Sequence, residues 1–396
     1  MNLSPEILSL RDDTVALRRD FHQHPELGFR ETRTAGIVAE RLRSLGLSVA
    51  TGVATTGVIG LHGDAFGRAV LLRADMDALP LTEENEVAYA SQNPGVMHAC
   101  GHDGHTAMLL SVAKILSQTP APRGVCYKFV FQPAEEGGGG ARVMIDEGAL
   151  RDPEVAVAVA AHLWNDLPVG KLGVRAGPVL ASADHFVVTL TGKGGHGAMP
   201  HQTRDPIVVA AELILAWQTI VSRNVDPVDS AALTIGAVEA GTVANIIPDR
   251  ARLKGTLRAL SPATRQRVID RVETILKGVT AAHELTHEFN FTTGYPPTVN
   301  TGEPTEVVRQ AAVETVGAGN VVEQDLVMGA EDMSFFLQQV PGCFFVVGSR
   351  NEEKGLAAPH HNARFDFDED ALLVGAETMV RAARKLASQL AADGED

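Results

Sequence analysis

Three stretches of this chain, residues 69–72, 125–131 and 155–161, are apolar at nearly every position instead of every second one. A strand with two apolar faces must be covered on both, which is the condition of a parallel strand inside an α/β sheet. Segments with helical spacing, 106–118 and 141–147, lie between these runs, and two more, 11–24 and 32–45, precede them around a turn at His24-Pro25-Glu26-Leu27-Gly28. The fold class expected is therefore α/β, a mixed and mainly parallel sheet with helices on both faces.

From about residue 184 the pattern changes. A strand at 185–191 is followed by a helix that Asp205-Pro206 caps and starts, then strands at 231–238 and 250–260. In 250–260 the apolar Ala251, Leu253, Leu257 and Ala259 alternate with Arg252, Lys254, Thr256 and Arg258, the mark of a sheet with one wet face. Ser261-Pro262 opens a second helix, and Leu285, His287, Phe289 and Phe291 alternate in a closing strand. The order βαββαβ is ferredoxin-like α+β. The α/β pattern resumes after Pro296-Pro297, so residues 184–296 are expected as a domain inserted into a larger one made of 1–183 and 297–396.

Composition narrows the function. Lys and Arg number 34 against 49 Asp and Glu, a formal charge of −15, which excludes a nucleic-acid partner, because that affinity comes from cations neutralising phosphates. The uninterrupted apolar stretches fall short of the roughly 18 residues of a membrane span, and Met1-Asn2-Leu3-Ser4-Pro5 lacks a basic, apolar leader. No membrane partner and a cytoplasmic location are expected. Three cysteines form no disulfide framework, so Cys100, the one among histidines, is expected to be a ligand or a nucleophile.

The chemistry-bearing residues gather where the strands end. His98, Cys100, His102 and His105 crowd a loop read as preceding the helix at 106, and Cys100-x-His102 offers two kinds of metal donor. Strand 125–131 runs into Gln132-Pro133-Ala134-Glu135-Glu136 and a glycine run; neighbouring carboxylates point apart, one toward a metal and one toward substrate. Run 155–161 ends in His162, and Pro359-His360-His361-Asn362 follows a late strand ending at Gly348. Ligands of open α/β sheets sit at these carboxyl ends. One thiolate, three imidazoles and a carboxylate exceed the needs of one tetrahedral zinc, which points to two metals, with Glu135 left as general base.

Two other motifs are set aside. His283-Glu284-Leu285-Thr286-His287 fits a zincin pattern that works on a helix, but it straddles a helix end and a strand, where residues four apart lie about 13 Å from each other. Gly192, Gly194 and Gly197 give G-x-G-x-x-G after a strand, but Pro200 comes before any helix. That glycine segment instead exposes His196, placed to hydrogen-bond a developing oxyanion.

Arg73-Ala74-Asp75-Met76-Asp77-Ala78-Leu79-Pro80, Met97-His98-Ala99-Cys100-Gly101-His102-Asp103-Gly104-His105-Thr106, Gln132-Pro133-Ala134-Glu135-Glu136-Gly137, Gly192-Lys193-Gly194-Gly195-His196 and Gly329-Ala330-Glu331-Asp332-Met333-Ser334-Phe335-Phe336 together resemble the hippurate hydrolase group of metal-dependent N-acyl-amino-acid amidohydrolases, relatives of aminoacylases, carboxypeptidases and auxin-conjugate hydrolases. The resemblance implies two divalent metals, zinc or manganese first and cobalt or nickel next, on Cys100, His102, Glu136, His162 and His361. His361 is preferred to His360 because His361-Asn362-Ala363-Arg364-Phe365 resembles the family's His-Asn-Pro-x-aromatic segment, with Ala363 in place of the proline. It implies Glu135 as base and proton shuttle, and Asp77 as the carboxylate that orients a ligand. The inserted domain is implied to be a lid and dimerisation domain, with His196 serving the partner subunit's site in a homodimer. Asn245 and Arg258 are implied to hold the substrate carboxylate, and Arg258, on the polar side of its strand, is suited to a bidentate clamp. The expected reaction is amide hydrolysis of a small N-acyl amino acid; the alternatives are a dipeptidase or carboxypeptidase of the same architecture, or a non-catalytic metal-binding scaffold.

Overall fold

The structure, a computed structural model, describes residues 1–393. The chain divides into two compact units, the first formed by Met1–Gly177, Val299–Asp325 and Asp332–Asp396, the second by Pro178–Thr298 and Leu326–Glu331.

The first unit is built on an eight-stranded sheet. Its strands are β1 (Ser48–Val53), β2 (Gly57–Gly63), β3 (Arg68–Asp75), β4 (Val125–Gln132), β5 (Val155–Pro168), β6 (Leu172–Gly173), β7 (Val321–Val322) and β8 (Gly342–Arg350), in the order β1-β2-β4-β3-β5-β8-β6-β7. The central four, β4, β3, β5 and β8, are parallel, while β1 and β2 form an antiparallel edge. All eight residues of β4 are buried, as the continuous apolar run predicts. Lys128, the charge within that run, is accommodated because its Nζ donates to the carbonyls of Ala149, Arg151 and Pro153 at 3.1, 2.7 and 2.8 Å. Helices His102–Leu116 and Asp370–Asp393 pack on each other and on the sheet, and Gly140–Asp146 packs with Met333–Gln339.

The second unit carries a four-stranded antiparallel sheet of Ala183–Thr191, Ala231–Ala240, Arg250–Ala259 and Thr286–Tyr295, with the second, third, first and fourth side by side. This is the ferredoxin-like arrangement. Asp205 and Ser261 accept the N–H of Ile207 and Thr264 at 2.8 and 3.1 Å, starting helices Pro206–Asn224 and Pro262–Ala282. The first of these helices is long and apolar enough to cross a membrane by length and composition, which counting uninterrupted runs overlooked because Glu212 and Gln218 break it. Its Val209, Leu213, Trp217 and Ile220 are buried in this unit's core.

Two expectations need correcting. The helix read as starting at 106 starts at His102, so His102 and His105 stand in its first turn and only His98 and Cys100 in the loop. Poor helix formers fill that turn, but burial of the turn outweighs propensity. His162 is not the end of a strand, since β5 continues to Pro168 beside β8. The turn fits against β5 because Gly104 lacks a side chain: a Cβ there would lie 2.6 Å from Leu163 Cδ1 and 2.7 Å from Phe367 Cζ. Gly104→Ala should therefore destabilise the fold by about 1–3 kcal/mol through overpacking. Gly36→Ala, in helix Thr32–Ser44 with nothing within 4 Å of the added Cβ, should stabilise it by about 0.5–1 kcal/mol; urea unfolding of the two variants checks the opposite signs.

Candidate metal centre

The site is organised where β3 and β4 end. Ala134 takes a left-handed backbone at φ 54°, and the turn brings two successive N–H groups onto one carboxylate: those of Glu135 and Glu136 donate to Asp77 Oδ1 and Oδ2 at 3.0 and 2.9 Å. The two glutamates then diverge. Glu136 carries Oε1 to 3.1 Å from His361 Nε2, while Glu135 Oε1 accepts the Asp332 N–H at 3.3 Å.

Gly101, at φ 88°, precedes the first turn of helix His102–Leu116, a conformation glycine adopts at no steric cost. His102 Nδ1 donates to the Asp77 carbonyl at 2.8 Å, leaving Nε2 as the available donor atom. Cys100, His102 and Glu136 each present a ligand atom within 4.8 Å of one another. His162 Nε2 is 3.7 Å from Cys100 Sγ, and its Nδ1 is fixed on the Leu163 carbonyl at 2.6 Å. His361, at φ 62° and with its N–H on the Ala99 carbonyl at 2.7 Å, completes the group. The five residues Cys100, His102, Glu136, His162 and His361 are thus brought together, with Asp77 beneath them.

The electrostatics call for a cation. Burial, then the Glu136 carboxylate, push the Cys100 thiol up. Hydrogen bonding to Cys100 and Glu136 pushes His361 up to about 10, whereas burial and then His105 hold His162 well below the usual imidazole range. His102 Nε2 is shielded from solvent without a hydrogen bond, a state that costs about 1–3 kcal/mol when unmet. A divalent metal satisfies such an atom, and the thiol, imidazole and carboxylate donors fit zinc and its neighbours.

A second cluster, Asp75, His102, His105 and His162, also lies within 4.8 Å, but two of its members are already saturated. His105 Nδ1 donates to Asp75 Oδ1 at 2.6 Å and His105 Nε2 accepts the Leu163 N–H at 2.9 Å, while Arg73 Nη1 donates to Asp75 Oδ2 at 2.8 Å. Arg73 also reaches Gln132 Oε1 at 2.8 Å and Asp332 Oδ1 at 2.9 Å. Sequence reading gave Arg73, Asp75, Gln132 and Asp332 no role; for the first three the signal was there, as charged and polar residues closing apolar strands.

In the second unit His196 pairs with Ile246 across a short ribbon, and the Gly197 N–H donates to the Asn245 carbonyl at 2.8 Å. The approach needs glycine, since a Cβ on Gly194 would stand 2.7 Å from the Ile247 carbonyl oxygen. Ala198 N–H donates to His196 Nδ1 at 3.1 Å, so the ring proton sits on the outward Nε2. Asn245 is exposed. Arg258 is half-buried on its strand opposite Ala232. The zincin-like histidines are structural: His283 Nε2 meets Glu212 Oε2 at 2.6 Å and His287 Nδ1 meets Thr280 Oγ1 at 2.8 Å.

The sequence profile of Peptidase family M20/M25/M40 matches residues 71–385. The chain belongs to this family. It is 46% identical over 296 residues to an N-acyl-L-amino acid amidohydrolase of Geobacillus stearothermophilus, covering 74% of this chain and 80% of the relative. It is 40% identical over 381 residues to thermostable carboxypeptidase 2 of Saccharolobus solfataricus, covering 94% and 95%. Among solved structures, the Bacillus subtilis YXEP protein, a dinuclear metal binding peptidase from the M20 family, superposes with a TM-score of 0.84 at 31% identity, covering 96% of this chain and 99% of that one.

Removing the carboxylate at the base of the group should loosen it. Asp77→Ala is expected to destabilise the protein by about 1–3 kcal/mol for each N–H left without a partner, and Asp77→Asn, which keeps one acceptor oxygen, by less; chemical denaturation ranks the two.

Proposed function

We propose that this family member hydrolyses the amide bond of N-acyl amino acids of the hippurate type, giving a carboxylic acid and a free amino acid. The observation that carries the reading is the convergence of Cys100, His102, Glu136, His162 and His361 beside a second, diverging carboxylate, Glu135. These five residues would hold two divalent metals, zinc or manganese, as the dinuclear name of the Bacillus subtilis relative supports. When bound, the ions supply Lewis acidity and a water that ionises at about pH 7.

The chain's own residues do the rest. Glu135, 6% exposed and with its main chain tied to Asp77, takes the proton of the attacking water and delivers it to the leaving amine. His196 donates through Nε2–H to the developing oxyanion from a partner copy in a homodimer. Asn245 and Arg258 hold the substrate carboxylate, the arginine by the paired N–H geometry that suits it. A carboxypeptidase reading has the support of the Saccharolobus relative's name and differs only in what lies on the acyl side.

A panel of N-acyl amino acids and short peptides, offered to metal-stripped protein before and after zinc or manganese, tests this by amine release. Release should require metal, favour the acyl compounds, and fall about 100- to 10,000-fold in Glu135→Gln, which keeps an oxygen for the Asp332 N–H; release from peptides alone would favour the carboxypeptidase, and none from any substrate would overturn both. The protonation of the site supplies a second prediction. His361 keeps its proton up to about pH 10 in the metal-free protein, so loading with metal at pH 7 must displace it. Affinity should rise with pH by about tenfold per unit for each proton released, keep rising until the protons of both His361 and Cys100 are lost, and be matched by proton release in a weakly buffered titration.

A further inference from the structure

The β3–β5 ladder stops at the pair Arg73 and Ala160, although β5 continues beside β8 for several residues more. Beyond that point a side chain takes over from the missing strand. The Leu163 N–H donates to His105 Nε2 at 2.9 Å, and the Leu163 carbonyl accepts His162 Nδ1 at 2.6 Å and His360 Nε2 at 3.0 Å. His105 is anchored in turn, through Nδ1 on Asp75 at 2.6 Å, and Asp75 is held by Arg73 at 2.8 Å. The rings of His105 and His162 are 4.4 Å apart and tilted by 64°. Asp75 and His105 are both fully buried, at 0% and 1% exposure, so neither exchanges these partners for water.

A neutral imidazole carries its proton on one nitrogen, and the partner of that nitrogen decides which face of the ring presents a lone pair. We propose that Asp75 and His105 are positioning residues that hold the Leu163 peptide so that His162 keeps its proton on Nδ1 and turns its Nε2 lone pair toward Cys100. His105 is then not itself a ligand, despite lying among donor atoms, because both its nitrogens are engaged. The inference rests on the reading of His162 as a metal ligand given above.

Two readouts separate this from a merely structural role. In metal-free protein, the ring nitrogen-15 shifts of His162 report its tautomer directly. In cobalt-loaded protein, the visible absorption bands report how many ions bind and how tightly. His105→Leu should mix the His162 tautomers and weaken one cobalt ion by about 10- to 100-fold, with two ions still bound at saturation. His105→Gln, whose Oε1 reaches toward the Leu163 N–H, should restore both readouts to within about threefold, taking the low end of the outer-partner effect as the threshold. His162→Gln should lose one ion outright. If His105→Leu does not fold, the comparison of His105→Asn, long enough for Asp75 only, with His105→Gln carries the test. Wild-type shifts and affinity in His105→Leu overturn the proposal, and so does the loss of one cobalt ion at saturation, which would make His105 a ligand. Should the wild-type protein bind no cobalt, the metal reading fails, while the His162 tautomer in metal-free His105→Leu still decides this inference.

Discussion

Asp77 is 2% exposed, and its side-chain and main-chain acceptors are met from two directions. From one side come the N–H groups of Glu135 and Glu136; from the other, the same residue's carbonyl takes the Nδ1 proton of His102. Three segments distant in sequence, the end of β3, the end of β4 and the first turn of helix His102–Leu116, are thereby fixed around one residue. An acidic side chain carries this burial only because donors meet each oxygen. The divergence of Glu135 and Glu136 follows from that anchoring.

Around Asp77 the buried charges come in chains, as electrostatics requires of charges removed from water. Asp332 joins Gln132 and Arg73, Arg73 joins Asp75, and Asp75 joins His105. On the other flank, Arg18 donates to Asp103 at 2.9 Å and to Asp366 at 2.7 Å. Arg18 thus pins the turn that bears His102 and the segment that follows His361 with a single guanidinium, whose planar fork suits two carboxylates at once. The net charge of −15 does not describe this region, where acid and base alternate within a few ångströms.

Much of the fold was legible because burial writes itself into composition. The apolar runs at β3, β4 and β5 could belong only to a sheet covered on both faces, and the alternation in 250–260 only to one with a wet face. Asp205 and Ser261, each before a proline, marked helix starts that the structure keeps. Strands β1 and β2 were not read: β1 lies at the sheet's edge, where mixed residues leave little periodicity, and glycines at 57, 60 and 63 break up β2. The start of helix His102–Leu116 was misplaced because Gly101-His102-Asp103-Gly104-His105 has the composition of a loop; the room those glycines leave for Leu163 cannot be seen along a sequence.

Cys100, His102, Glu135, Glu136 and His162 could be singled out from residue type and order, because thiol, imidazole and carboxylate side chains have few other uses in such numbers, whereas His361 was separated from His360 only by the family-like segment that it opens. Which nitrogen of each histidine is free could not be read in this way. That depends on the partner of the other nitrogen, and the partners are an Asp77 carbonyl 25 residues from His102 and a Leu163 N–H 58 residues from His105. Sequence determined the inventory of donors and the sheet that carries them, since both are properties of residue chemistry and local pattern. Tertiary structure alone decided which donors are spent and which remain available, because hydrogen bonds between buried groups are made only when distant segments close upon each other.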